Sequence, residues 1–432
     1  MTAVSTVMRR GWCPGVRRPM ATGDGLLVRL HLLGGSLPAD RARLVAGAAR
    51  KHGNGHLDIT GRGNLQIRGV RDETYPALLA LLEREGLVEP EGNGPPHPAV
   101  TSPLAGIDPH DRFDALALAR AIEDRARSID GLPAKFFIAV DGGGSMPLDA
   151  IGADLHLLAQ GEGNAAAFGV ASPEGLEWIG AAGLSRVPEA VAGILSGYAG
   201  MRKAGLTKAR RLRHLEQGLV RELADAAALE PTSPPCTRSP ARRAGILHAE
   251  GDKAVLLALP FGRCGSAQLE QAAAWSERFG MGEIRPSFTR GIMLPGIAET
   301  HLATLLDEAH RSGFITEAQD PRLSLLACPG KPDCASALTP APADALRIAS
   351  ACGHLLSQGV TLHVSGCRKG CAHPSRANLT LVGCDDGRYD VIPNGSPQDA
   401  ACLHLSIDDL MTRLLPLKIL DDLRHALTES AR

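Results

Sequence analysis

Two stretches of this chain are written in the same pattern. GDGLLVRLHLLGGSLPADRARLVAGAARKHGNGHLDITGRGNLQIRGV begins at Gly23, and GDKAVLLALPFGRCGSAQLEQAAAWSERFGMGEIRPSFTRGIMLPGI begins at Gly251. Each reads as an apolar strand, a Gly-containing turn, an amphipathic helix closing on a G-x-G pair, and a second strand. The closing pairs are Gly53 with Gly55 and Gly280 with Gly282, and each unit carries an Arg-Gly pair, Arg62-Gly63 and Arg290-Gly291. Downstream the likeness continues at a constant offset of 224: Leu104-Ala105-Gly106 falls on Cys328-Pro329-Gly330, and FIAVDGG on TLHVSGC, with Gly142 on Gly366. One offset serving separated segments indicates an internal duplication, and its period is far too long for a solenoid. The chain is therefore two domain-sized halves.

Linkers divide each half again. PEGNGPPHPAVTSP, from Pro90, parts the strand-helix-strand unit from the rest of the first half, and PTSPPCTRSPARR, from Pro231, parts the halves. The expected units are 19–89, 97–230, 241–317 and 318–432, with alternating helices and strands that argue for an α/β-rich α+β chain rather than a bundle. A net charge of −1 gives no global field for nucleic acid or membrane, so an anion site has to be built from local Arg and Lys. No apolar run is long enough to span a bilayer, and the N-terminal MTAVSTVMRRGWCPGVRRPM lacks the apolar segment of a secretory signal. A cytoplasmic location is expected, where ten cysteines point to metal chemistry or packing rather than disulfides.

CPGKPDC supplies Cys328 and Cys334; about thirty residues later SGCRKGCAHP supplies Cys367 and Cys371. Together they read C-x5-C…C-x3-C, four thiolates for a [4Fe–4S] cluster, with Gly330, Gly366 and Gly370 letting backbone N–H groups approach the sulfides. A four-cysteine zinc site usually shows shorter knuckles, and a redox pair at Cys367 and Cys371 leaves the other two unexplained. The aligned first-half residues are Leu104, His110, Gly143 and Pro147, so one cluster per chain is expected. Cys13 is ambiguous between buried thiol and ligand; with Cys236, Cys264, Cys352, Cys384 and Cys402 it forms no second four-ligand spacing, and most of these read as packing residues.

In TGRGNLQIRG, strand alternation sends Asn64, Gln66 and Arg68 to one face and Leu65 and Ile67 to the other. With Arg62, that face suits a ligand bearing several carboxylates, since Arg binds them bidentately; the alternative is a solvated edge. Lys135 begins an apolar strand, and Arg368 and Lys369 lie inside the cysteine motif. GEGNAA, from Gly161, matches a weak dinucleotide fingerprint, but its duplicate CDDGRY reads as a hairpin turn, so no nicotinamide or flavin fold is expected.

The duplicated halves, the TGRGNLQIRG strand and the four-cysteine spacing resemble the sulfite and nitrite reductase family, from about Pro19 to about Asp422. The resemblance implies two ferredoxin-like half-domains paired about a pseudo-twofold, plus two α/β domains, of which the second carries a [4Fe–4S] cluster ligated by Cys328, Cys334, Cys367 and Cys371. It implies sirohaem in the reductases, with Cys371 facing the macrocycle and Arg62, and by duplication Arg290, meeting its carboxylates. CPGVRRPMATGDGLLVRL, TSPLAGIDP and SGCRKGCAHP are similar to the branch that uses O2 to hydroxylate C20 of precorrin-3A, closing a γ-lactone, in aerobic cobalamin (vitamin B12) biosynthesis. In the reductases a strand begins R-K-F-K; here it reads Ala-Lys-Phe-Phe, keeping Lys135 and replacing the second lysine with Phe137, which argues against a small anionic substrate. The implied partners are precorrin-3A, O2 and a ferredoxin or NAD(P)H-dependent reductase. A mononuclear non-haem iron belongs to the same picture; no compact two-His-one-carboxylate motif appears, and His31, His156, His363 and His373 are candidates that read equally as packed or exposed histidines. A sirohaem-dependent sulfite or nitrite reductase is the competing reading.

Overall fold

The structure is a computed structural model, and it describes residues 12–89, 95, 97–172, 175–418 and 427. The N-terminal segment 1–11, most of the expected linker from Pro90 and nearly all of 419–432, the end of the last expected unit, lie outside the described residues.

Period-3.6 burial shapes the first unit. In the helix Ala39–His52, Ala42, Val45, Ala46 and Ala49 face inward, while Arg50, Lys51 and His52 occupy the last turn, where the helix dipole favours cations. Its duplicate Ser266–Phe279 buries Leu269, Ala272, Ala273 and Trp275. The two helices sit over two five-stranded sheets that exchange their edges. The strands Met20–Thr22, Gly25–Leu30, Leu65–Val70 and His56–Ile59 are completed by Arg263–Gly265 from the second half. Gly245–His248, Lys253–Ala258, Gly291–Ile297 and Glu283–Pro286 are completed by Leu37–Pro38 from the first. One apolar core, including Val45, Leu65, Ile67, Val255, Leu294 and Trp275, runs through both. These are the two ferredoxin-like half-domains, joined about a pseudo-twofold.

The other two sheets share one topology. Ala99–Thr101, Ile138–Asp141 and Leu155–Gln160 are parallel, and Ala165–Ser172 and Gly175–Gly183 continue antiparallel. Leu325–Ala327, Leu362–Ser365 and Ala377–Gly383 repeat the parallel part, and Tyr389–Gly395 and Leu403–Leu405 the antiparallel part. The 224-residue offset reappears in the pairing: Ala139 lies opposite His156, and His363 opposite Thr380. The segments around Gly161 and Asp386 are both hairpin turns between antiparallel strands. Among the described residues no helix is long and apolar enough to cross a membrane.

The half-domain units repeat at an offset of 227, which changes one equivalence. Thr60 and Ser287 each begin the same turn, closed by Gly63 N–H to Thr60 O and Arg290 N–H to Ser287 O, both 3.0 Å or less. Gly63 and Arg290 share a left-handed φ of +69°. Arg290 therefore stands where the first half has glycine, and Thr289 where it has Arg62. The recurring Arg-Gly pair is offset by one residue and is not a structural repeat.

Candidate functional site

Cys328 follows the strand Leu325–Ala327 and Cys367 follows the parallel neighbour Leu362–Ser365, so the ends of adjacent strands bring the two loops together. The Gly366 N–H donates to Cys328 Sγ at 3.1 Å. Burial pushes the Cys328 thiol up, opposed by the N–H groups of Gly366 and Gly330, while Cys367 and Cys334 add to the rise. Cys371 presents surface to solvent, yet it is crowded enough that desolvation, then Cys367, Cys328 and Cys334, raise its thiol. Four thiols that feel one another's charge, with backbone N–H groups turned toward sulfur, fit a [4Fe–4S] cluster.

The first-half sheet lays a polar face against this loop. The sequence allowed a solvated edge for the strand Leu65–Val70, but it is the central strand, with Gln66 and Arg68 buried. Alternation acts as expected, Leu65 and Ile67 entering the core. Arg68 donates to Asp24 (2.8 and 3.1 Å) and to the Asp333 carbonyl (2.6 Å), between Cys328 and Cys334. Arg263 bridges Asp58 and the Asp333 carboxylate. Gly23 must be glycine here: a Cβ would lie 2.5 Å from the Pro332 carbonyl oxygen.

Cations gather further along this face, starting two residues from Arg68, about 7 Å at 3.3 Å per strand residue, and continuing into the Thr60 turn. Arg29 donates to Gln66 Oε1 (2.6 and 2.9 Å), a neutral partner. The Arg62 guanidinium lies 3.7 Å from the Phe137 ring centroid and donates to the Lys135 carbonyl at 3.2 Å. Arg211 approaches the same ring and pairs with Asp154. Desolvation lowers Arg62 to about 10, with Arg211 and Arg29 pressing the same way and Cys13 and Asp154 opposing; Arg29 is lowered by desolvation too. Among the described residues Arg29 and Arg62 thus give up water without an ion pair, an arrangement that a ligand carboxylate would complete.

The other expected site residues are placed differently. Lys135 is exposed in the turn before its strand, which starts at Ile138. Asn64 is partly buried and its backbone closes the Thr60 turn. Arg290 donates to the Ala372 carbonyl at 3.3 Å, in a small cleft that Arg243, Arg322 and Phe261 also line. Arg368 turns to Asp390 (2.6 Å), and Lys369 reaches Ser336 Oγ (2.8 Å), tying the two cysteine loops together. Of the candidate histidines, His363 and His373 come together, ring centroids 5.7 Å apart, and among the described residues both ring nitrogens of buried His363 lack a hydrogen-bond partner. His31 is held to the Pro14 carbonyl, and burial drops it to about 3; burial drops His156 to about 4. The sequence reading missed Arg29, Arg211 and Asp333. Arg29 was within reach, since a lone Arg in GLLVRL sits on an otherwise apolar strand; Arg211 comes from a distant helix-connecting segment and gave no local signal.

Comparison with known proteins adds the lineage. The nitrite/sulfite reductase ferredoxin-like half domain matches residues 18–85 and 246–312, the two units of the exchanged sheets. A precorrin-3B synthase from Sinorhizobium sp. is 32% identical over 90% of this chain and 84% of its own length. The chain belongs to the nitrite and sulfite reductase family. Within this family, ferredoxin–nitrite reductase from Synechococcus elongatus is 26% identical, covering 87% of this chain and 79% of its own. The NirA protein of Mycobacterium tuberculosis superposes with a TM-score of 0.72 at 21% identity, over 90% of this chain and 79% of that one, a likeness of fold.

Proposed function

We propose that this chain is a precorrin-3B synthase, hydroxylating C20 of precorrin-3A with O2 and forming a γ-lactone in cobalamin biosynthesis. The observation that carries the reading is the desolvated group of Arg29 and Arg62, without matching carboxylates among the described residues, on a polar face that also meets the cysteine loop. A macrocycle fringed with carboxylates supplies that missing charge over an extended surface, which a small dianion does not. Phe137, where the reductase pattern has a lysine, supports the same choice: its ring carries Arg62 instead of adding an ammonium group.

In this reading Cys328, Cys334, Cys367 and Cys371 hold a [4Fe–4S] cluster, which when bound supplies one-electron relay from a ferredoxin or an NAD(P)H-dependent reductase. Arg29, Arg62 and Lys135 bind and orient the substrate's acid groups, and Arg68 holds the Cys328–Cys334 loop against the sheet. One oxygen atom enters the substrate and the other leaves as water, consuming two electrons and two protons. His363 and His373 are the described pair best placed to serve a mononuclear iron, since they adjoin the cysteine loop and His363 has unsatisfied nitrogens.

The test is mass spectrometry of the product formed from precorrin-3A under labelled O2 with a reductant. One labelled oxygen in a lactone product is expected; label found only in water, or unchanged substrate with a cluster-loaded chain, overturns the reading. An intense sirohaem absorption band in freshly purified protein would instead favour a reductase.

A further inference from the structure

We propose that Cys384, Asp390 and His404 form a binding site for a divalent transition-metal ion of zinc's class, separate from the four-cysteine loop. Cys384 directly follows the strand Ala377–Gly383, and Asp390 and His404 lie on the next two strands of the last sheet. Asp390 lies opposite Val382 on one side and His404 on the other, and Cys384, two residues beyond Val382, falls on the same face. A sulfur, a carboxylate oxygen and an imidazole nitrogen all lie within 4.8 Å of one another. Tetrahedral zinc with bonds of about 2.0–2.3 Å needs its donors about 3.3–3.8 Å apart, so rotamer adjustment suffices. A set containing thiolate and imidazole selects zinc-like ions over magnesium or calcium.

The supporting contacts around a metal are already built. A metal-bound histidine ordinarily gives its second nitrogen to a carboxylate, and bound carboxylates are themselves hydrogen-bonded. His404 Nε2 meets Asp386 at 2.7 Å while Nδ1 faces Asp390 at 3.0 Å, and Arg368 donates to the other Asp390 oxygen at 2.6 Å. An ion entering between Nδ1 and Asp390 keeps both outer contacts. Cys384 Sγ has a long contact to the Val382 carbonyl, 3.6 Å, and is hydrogen-bonded to Asp390, a contact that an ion shared by the two would replace. The trio is not a general property of the fold, because the first-half residues with the equivalent strand pairing are Ala167 and Ala181. The sequence reading of Cys384 as a packing residue gives way to a ligand. Since Arg368 belongs to the Cys367–Cys371 loop, an ion here would fix one side of that loop from behind.

Cluster-loaded protein is dialysed against zinc, and metals are counted. One zinc per chain beyond the cluster iron is expected, with Cys384→Ser and His404→Ala each weakening zinc binding about 100-fold or more and leaving the iron count unchanged. Zinc should also shield Cys384 from alkylation in the unaltered chain, read by peptide mass spectrometry, which needs no variant to fold. No zinc uptake with the cluster intact, equal uptake by Cys384→Ser, or no shielding of Cys384 overturns the proposal.

Discussion

The same loop, at the end of the same pair of parallel strands, is built twice with opposite chemistry. In the first half Asp141 ends its strand and accepts from the N–H groups of Gly143 and Leu148, both at 2.8 Å. Asp108 accepts from the Ser145 N–H at 2.6 Å and its hydroxyl at 3.0 Å. The second half has Cys328, Cys334, Cys367 and Cys371 around the corresponding loop. The sheet faces opposite them differ in the same sense. Arg29 pairs with Gln66 in the first half-domain; at the equivalent register the second has Leu256 paired with Met293. Those two pack with Leu104 and Met146 of the carboxylate-tied loop into a small dry core, and Arg285 grips the Pro103 and Ala105 carbonyls at 3.0 Å. Duplication made two cradles. One is filled with its own side chains, each buried one contributing roughly 1.5–3 kcal/mol; the other is lined with cations and thiols, the surface proposed above to take the macrocycle.

That contrast can be broken most severely at the thiols. Cys334→Ser should remove the cluster and the oxygenation together, seen as lost iron and lost product, while His110→Ser at the aligned first-half position leaves both intact; activity without iron would remove the relay role. Filling is tested next. Leu104→Ala should cost about 2–5 kcal/mol in denaturant unfolding, because it opens a cavity in a fully buried contact, with iron content unchanged. On the open side, Arg62→Gln should raise KM for the tetrapyrrole about tenfold to 100-fold, the value of one charge-assisted hydrogen bond of about 1.5–3 kcal/mol. Its unfolding free energy should hold or rise, since a desolvated cation is removed; a large loss of stability with unchanged KM would make Arg62 structural.

The smallest expected effect is a pH slope confined to the carboxylate-tied half. Burial, then Asp108 and Asp141, raise Asp111 to about 7 from an ordinary 3.8. The folded chain therefore holds a proton on Asp111 that the unfolded chain releases, so the Asp111 contribution to stability falls as pH rises between about 4 and 7, against the opposite slope that the buried His31, His156 and His363 give in that window. Asp111→Asn should make stability rise more steeply with pH across that window in unfolding measurements, and an unchanged profile would leave Asp111 without that role.

Local features of the sequence carried much of this. The offset of 224, the strand alternation at Leu65 and Ile67, the hairpin turns at Gly161 and Asp386 and the fourfold cysteine spacing were legible because period, turn chemistry and ligand count are properties of neighbouring residues. The one-residue error at Arg290 has a local origin as well: side-chain identity suggested the pairing Arg62 with Arg290, whereas backbone conformation pairs Gly63 with Arg290, and φ is not written in a residue's name.

Sequence by itself determined that the chain is duplicated, that only the second half can offer four thiols, and which face of each strand is polar. Tertiary structure alone decided that Leu37–Pro38 and Arg263–Gly265 change sheets, that Arg62 and Arg211 meet over Phe137, that Asp333 locks the cysteine loop to Arg68, and that Cys384 lies beside Asp390 and His404. The reason is physical. Patterning fixes which side chains leave water, but which of them meet after 100 or more intervening residues depends on the packing of whole sheets, and the desolvation that makes an arginine seek a ligand exists only once those sheets are in place.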